Sequence, residues 1–283
     1  MPRLLNNLCN AGMKTRLTFK VHFKQMRSFK KTFNRVVTKE KHDAFPHKIN
    51  MNIVITGASK GFGRAIAEIF AAHGHHLFIC SRNEIALYKA MEELLTRYPD
   101  AKVKAKARDL SKKEEVADFS EWLLANAYHI DILVNNAGRF IPGSIHNEAD
   151  GALEEMMQVN LYSAYQLTRL LLPSMIKRKS GHIFNICSIA SLDAYPNGGA
   201  YSISKFALHG FSKNLREELK PHGIKVTAVF PGAAYTDSWS GSNIDPKRIM
   251  EAGDIAAMLY AASHLSPQAC VEDIVLRPQL GDL

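Results

Sequence analysis

From residue 51 onward, apolar positions fall in short runs separated by stretches with helical spacing. The runs at 53–55, 77–80, 103–105, 132–134, 182–187, 226–230 and 274–276 are apolar and β-rich, and they read as buried strands. A helix is expected over 63–73, directly after a glycine-rich loop. Ser111 with Glu114 forms an S-x-x-E capping box that opens a helix reaching Asn126. Long helices are expected over 160–179 and 201–222, and a last one over 254–263. Strands alternating with helices imply a doubly wound α/β fold: a seven-stranded, mainly parallel sheet with helices on both faces. Residues 51–283 are enough chain for one catalytic domain of this class.

The first 50 residues read differently. They lack sustained periodicity and hold 12 Lys and Arg against two acids, Glu40 and Asp43. The net charge of +9 for all 283 residues therefore splits into +10 for residues 1–50 and −1 for the rest. Three readings stay open for this segment: a targeting peptide, a basic tail for an anionic surface or nucleic acid, or a start codon placed too early, with Met51 opening the domain. It carries no recognisable nucleic-acid-binding motif, and no nucleic-acid partner is expected. The four cysteines, Cys9, Cys80, Cys187 and Cys270, form no C-x-x-C pair. No apolar run reaches the length of roughly 18 residues that a membrane span needs. A reduced, cytoplasmic protein is the expectation.

Candidate chemistry starts at the end of the first strand. Thr56 leads into Gly57-Ala58-Ser59-Lys60-Gly61-Phe62-Gly63, and a helix follows. Glycines at these positions allow a tight turn and close backbone approach to a pyrophosphate, which then sits on the helix N-terminus. A dinucleotide site for NAD would show an acid at the end of the second strand, for the ribose 2′-hydroxyl. Here that strand ends in Ser81-Arg82, with no acid. Arg82 offers a planar fork for a 2′-phosphate, and Lys60 adds a second cation, so NADP(H) is the expected cofactor.

A second cluster lies at 201–205, where Tyr201 and Lys205 are i and i+4 on one helix face. A nearby ammonium stabilises tyrosinate, so the tyrosine pKa is expected to fall, which would let Tyr201 pass a proton to a nascent alkoxide near neutral pH. Ser188 ends the preceding apolar run and can hydrogen-bond the same carbonyl oxygen.

Together these residues resemble the short-chain dehydrogenase/reductase family over nearly all of 51–283. The matching positions are the T-G-x-x-x-G-x-G loop, Asp109-Leu110, Asn135-Asn136-Ala137-Gly138, Asn160, Ser188, Tyr201, Lys205 and Pro231-Gly232 with Thr236. The resemblance implies a Rossmann-type fold and roles for these residues. Asn160 would kink its helix and hold a water that relays protons to Lys205. Lys205 would also grip the nicotinamide ribose. Asp109 would contact the adenine, Asn136, Ala137 and Gly138 would pass beside the adenosine ribose, and Pro231, Gly232 and Thr236 would flank the nicotinamide. The family commonly pairs subunits through its two long helices, which implies a homodimer or homotetramer.

Within the family, residues 181–184, Pro231 to Trp239 and the ending 272–282 are similar to bacterial sepiapterin reductases. That likeness implies reduction of a side-chain carbonyl on a pterin, with Asp282 as a candidate substrate contact by position. The segment from Thr236 to the helix near Asp254, where the family builds its substrate lid, is short and holds Trp239 early on, which could stack on a flat ring, so a compact planar or dicarbonyl substrate is expected. Other readings stand beside it. One is a 3-oxoacyl thioester reductase, for which Lys177, Arg178 and Lys179 would offer an acidic carrier a basic rim. Another is an alcohol dehydrogenase of the same family. A third is a non-catalytic NADP sensor or scaffold, which would normally lack the Tyr or Lys present here.

Overall fold

The computed structural model describes residues 50–236 and 244–282. Among the described residues, nine strands occur in the order β1 (Asn52–Thr56), β2 (His76–Ser81), β3 (Lys102–Ala107), β4 (Ile132–Asn135), β5 (Gly181–Ile186), β6 (Ile224–Pro231), β7 (Ala234–Tyr235), β8 (Met250–Glu251) and β9 (Asp273–Leu276). Seven of them build one sheet, ordered β3-β2-β1-β4-β5-β6-β9, while β7 and β8 pair separately. Every neighbouring pair in the large sheet is parallel, so the sheet expected to be mainly parallel is wholly so.

The helices are α1 (Gly61–Ala72), α2 (Glu84–Arg97), α3 (Lys113–Asn126), α4 (Ala152–Met157), α5 (Ser163–Arg178), α6 (Gly199–Leu219) and α7 (Ala252–Ser263). Side chains alternate across a strand, so each strand of a two-sided sheet feeds both layers. Ile53 and Ile55 on β1 pack with Ile66 and Phe70 of α1, Leu87 of α2 and Leu259 of α7. Val54, between them, packs on the other face with Phe119 of α3, Leu171 of α5 and Leu215 of α6. Both layers are buried at these positions, which is why the strands read as continuous apolar runs.

The chain runs outward from β1 to β3, then returns to β4 and builds the other half. In such sheets the crevice beyond the carboxyl ends of the strands at this reversal is where ligands bind. Thr56, at the end of β1, locks the reversal. Its hydroxyl donates to the Val134 carbonyl (3.3 Å) and accepts from the amides of Asn136 and Ala137, both at 2.9 Å. One donor and two lone pairs are thus all used.

Two sequence expectations need correction. The long helix expected over 160–179 begins earlier, as α4, and passes through one π-helical stretch, Gln158–Tyr162, before α5. The capping box at Ser111 does not form. Helix α3 starts at Lys113 with no side-chain cap. The Ser111 hydroxyl donates instead to Asp109 Oδ1 at 2.8 Å, and Glu115 accepts the Asp109 amide at 2.7 Å. A serine that can close a local turn on a preceding aspartate is lost to the helix as a cap.

Candidate active site

The glycine loop forms a cradle at the end of β1. Gly57 and Gly61 sit at φ +65° and +57°, where side-chained residues are strained. A Cβ on Gly63 would collide with the Gly57 carbonyl oxygen and lie 2.5 Å from Asn136 Nδ2. Asn136 holds the loop in this shape: its Nδ2 donates to the carbonyls of Thr56 (2.8 Å) and Gly57 (3.1 Å). Lys60, exposed, occupies the position before α1, while Ser59 beside it is half-buried and Phe62 packs against the core.

Arg82 is exposed just past β2, and its charge reaches Asp109. Burial raises the Asp109 pKa, but hydrogen bonds from Ser111 and the charges of Arg82 and Lys112 outweigh it, and the carboxyl ends below its ordinary value. Two neighbours expected to meet a cofactor are turned inward. Leu110 belongs to the core layer with Phe119, and Ser81 is buried with its hydroxyl directed to the Asn83 carbonyl at 3.4 Å.

Ser188, Tyr201, Lys205, Asn160 and Gly138 come together on the carboxyl side of β4 and β5. Asn160 lies inside the π-helical stretch and is buried. Its Oδ1 accepts from the Arg139 amide at 2.7 Å, and its Nδ2 donates to the Arg139 carbonyl (3.0 Å) and to Ser204 Oγ (2.8 Å). A Cβ on Gly138 would stand 3.2 Å from Asn160 Oδ1 and 3.6 Å from Lys205 Nζ, so the Asn-Asn-Ala-Gly segment closes over both. Lys205 donates from Nζ to the Ile186 carbonyl at 2.8 Å. Burial pushes its pKa down to about 8. Ser188 hydrogen-bonds the Tyr201 phenol, and it opens a 3-10 turn, Ile189–Ser191, with its Oγ accepting from the Ala190 amide at 3.1 Å.

The tyrosine departs from expectation. Its pKa lies above the ordinary value because burial disfavours the anion, and the Ser188 hydrogen bond works against that shift. Lys205 Nζ lies 5.8 Å from the Tyr201 ring centroid. Helical spacing brings the two side chains to one face, but it carries no information on how dry that face becomes.

Around this cluster stand residues that periodicity did not mark. Phe140 meets the Tyr201 ring edge-to-face at 4.9 Å and is half-exposed. Tyr195, also half-exposed, has its pKa raised to about 12 by burial and then by the charge of Tyr201. At the end of β6, Pro231 is buried, and Gly232 donates its amide to the Leu276 carbonyl at 2.8 Å. Thr236 faces the glycine loop, 3.7 Å from where a Gly61 Cβ would stand. Asp282 is close to Gly232 but is not free: its carboxylate pairs with Arg277, which also bridges to Asp193 at 3.0 Å. Trp239 lies outside the described residues. A cavity of about 340 Å³ touches Gly61 and Thr236, whereas a larger one of about 1150 Å³, between α1 and residues 246–256, shares no residue with the tyrosine cluster.

Known proteins match this chain broadly. The family model described as short chain dehydrogenase matches residues 51–247. A sepiapterin reductase of Chlorobaculum tepidum is 33% identical over 239 residues, covering 82% of this chain and 97% of that protein. Among solved structures, an alcohol dehydrogenase of the archaeon Thermococcus sibiricus complexed with 5-hydroxy-NADP is 27% identical with a TM-score of 0.74, covering 81% of this chain and 97% of that one. The L-sorbose reductase of Gluconobacter frateurii, complexed with NADPH and L-sorbose, is 27% identical with a TM-score of 0.75, covering 80% and 95%.

Proposed function

This chain belongs to the short-chain dehydrogenase family of oxidoreductases, and on that premise we propose that it is an NADPH-dependent carbonyl reductase with Tyr201 as proton donor. The observation that carries the proposal is the convergence of Ser188, Tyr201 and Lys205 beside the glycine cradle, at the carboxyl edge of the sheet.

The cradle fits a dinucleotide. Gly57, Gly61 and Gly63 keep side chains out of the turn, and the N-terminus of α1 faces it. Arg82 and Lys60 would hold the 2′-phosphate, and Asp109, Asn136, Ala137, Gly138, Pro231, Gly232 and Thr236 would line the rest. The NADP-type ligands of the two solved relatives support this choice. Bound there, NADPH supplies the hydride for the carbonyl carbon. Tyr201 gives its phenolic proton to the carbonyl oxygen, which Ser188 also hydrogen-bonds. The phenol is protonated at neutral pH, as a donor must be; burial makes it a weaker acid, which the Lys205 ammonium would offset by stabilising the tyrosinate that forms. Lys205, positively charged below about pH 8, faces the tyrosinate left behind. Asn160, through its hydrogen bonds to Arg139 and Ser204, ties the π-helical stretch to α6 one residue before Lys205.

For substrate, the reading is a compact planar or dicarbonyl molecule, sepiapterin-like in size. Phe140 and Tyr195 present aromatic surface beside Tyr201, which favours a flat ring. Asp282, near Gly232, stands where a ring N–H edge could exchange for Arg277, and Trp239 would add a further wall. The rival acyl-thioester reading loses its basic rim. Arg178 donates to the Ile130 carbonyl, beside the start of β4 and so at the opposite end of the sheet from Tyr201. The test is NADPH oxidation by the full chain with sepiapterin, a small diketone and an acetoacetyl thioester. A higher kcat/KM for the thioester would overturn the substrate assignment. Absence of NADPH oxidation with every carbonyl would overturn the reaction assignment.

A further inference from the structure

The helix that carries Tyr201 starts without a cap of its own. The residue before its first turn is Gly198, which has no side chain to accept the first amides of α6. The amide of Ala200, directly before Tyr201, donates instead to Glu148 Oε2 at 3.0 Å, from a residue 52 positions earlier. The loop bearing Glu148 is fastened to the segment entering α6. The Gly143 amide donates to the Asn197 carbonyl at 3.2 Å, and Ser144 Oγ bonds Asn197 Oδ1 at 3.0 Å. The carboxylate is closely seated: a Cβ on Gly199 would lie 2.6 Å from Glu148 Oε2, and one on Gly143 would lie 2.7 Å from Glu148 Cβ. A carboxylate at a helix N-terminus is also favoured by the helix dipole.

We propose that Glu148 is a positioning residue for Tyr201: by accepting the Ala200 amide it fixes where the first turn of α6 begins, and so where the phenol stands relative to Ser188. The proposal rests on the reading of Tyr201 as proton donor. Glu148 itself makes no contact with the reacting groups. Its effect belongs in kcat, because a misplacement of about 1 Å can slow a reaction by about 10²-fold. The KM for NADPH should move little, because the glycine cradle and Arg82 lie on other elements and Lys205, one turn further along α6, is held by the Ile186 carbonyl.

The test compares the full-length wild type with Glu148→Ala and Glu148→Gln by two readouts. The first is amide hydrogen exchange of the peptide 198–205. The second is kcat and KM for NADPH with a small diketone. In Glu148→Ala, exchange at the helix start should accelerate by about tenfold or more and kcat should fall by a similar factor, with KM for NADPH within about twofold. Glu148→Gln keeps an acceptor oxygen in place, so it should restore both protection and most of kcat. If Glu148→Ala does not fold, Glu148→Asp, one methylene short of reaching the amide, should show the same split. Unchanged exchange in the alanine or aspartate variant, an unchanged kcat, or a glutamine variant as impaired as alanine would each overturn the proposal. A wild type that reduces no carbonyl would overturn the proton-donor reading alone, and the exchange measurement would still decide whether Glu148 holds the start of α6.

Discussion

Lys205 Nζ lies 5.8 Å from the ring centroid of Tyr201 and hydrogen-bonds the Ile186 carbonyl at 2.8 Å, so the ammonium is anchored to the end of β5. The two side chains share a helix face yet are shifted in the directions burial dictates, the phenol upward and the ammonium downward. Both shifts disfavour charge in a dry site. This arrangement keeps Tyr201 protonated at neutral pH and leaves Lys205 able to change charge near its own pKa of about 8.

Lys205 should therefore show in the pH dependence of stability. Its folded pKa of about 8 is below its ordinary value of 10.5, so below about pH 8 the folded state carries the whole cost of a buried ammonium. Between the two values the folded lysine is neutral while the unfolded one is still charged, and stability rises with pH. Relative to Lys205→Met, the wild type should gain about 2 kcal/mol between about pH 8 and about pH 9.5, or roughly 4–8 °C in Tm. Thermal melts of both proteins across that range check this. A Tm difference that stays constant, or that moves against the wild type, would show that Lys205 is not held at a depressed pKa.

Cofactor choice should turn on Arg82. A charge-assisted hydrogen bond to a phosphate contributes about 1.5–3 kcal/mol, so the wild type should favour NADPH over NADH by about tenfold or more in kcat/KM. Arg82→Asp should reverse the order. Equal use of both cofactors by the wild type would remove Arg82 and Lys60 from the 2′-phosphate site.

The cradle itself has a steric test. Gly63→Ala places a methyl against the Gly57 carbonyl and Asn136 Nδ2, both of which are backbone or backbone-tied. Overpacking of this kind destabilises by about 1–3 kcal/mol. NADPH affinity measured by fluorescence titration should fall by about tenfold or more, because the loop that must shift is the one proposed to face the pyrophosphate. Wild-type affinity in this variant would place the cofactor elsewhere.

These tests rest on features that differ in how far the chain discloses them. The strands were legible because a parallel sheet covered on both faces makes runs such as 53–55 apolar without interruption. The glycine cradle and the Tyr201–Lys205 spacing were legible because backbone geometry and helical periodicity are local. The capping box at Ser111 failed because Asp109, two residues away, competes for the same hydroxyl. Glu148 on the Ala200 amide, Arg277 on Asp282 and Asp193, and Phe140 on Tyr201 are contacts between or beside loops, which no period marks. The upward shift of Tyr201 depends on the burial of its surroundings, which appears only once the layers are assembled.

Helices α5 and α6 both leave large apolar side chains exposed. Tyr165 and Leu170 on α5, with Ile203 and Phe206 on α6, are exposed, while Leu167 and Leu171 fill the core behind them. The expected state is a dimer or tetramer paired through these side chains. Light scattering at micromolar concentration should give at least twice the chain mass, and Phe206→Arg with Leu170→Arg should lower it to that of a single chain. A monomeric wild type would contradict the pairing.

The central claim is that Tyr201 donates the proton that completes carbonyl reduction. Tyr201→Phe removes that hydroxyl and keeps the ring that packs on Phe140. A general acid contributes about 10²–10⁴-fold, so steady-state NADPH oxidation with the best carbonyl substrate should fall by at least about 10²-fold in kcat, with NADPH affinity unchanged. A variant that retains more than about a hundredth of the wild-type kcat would contradict the assignment.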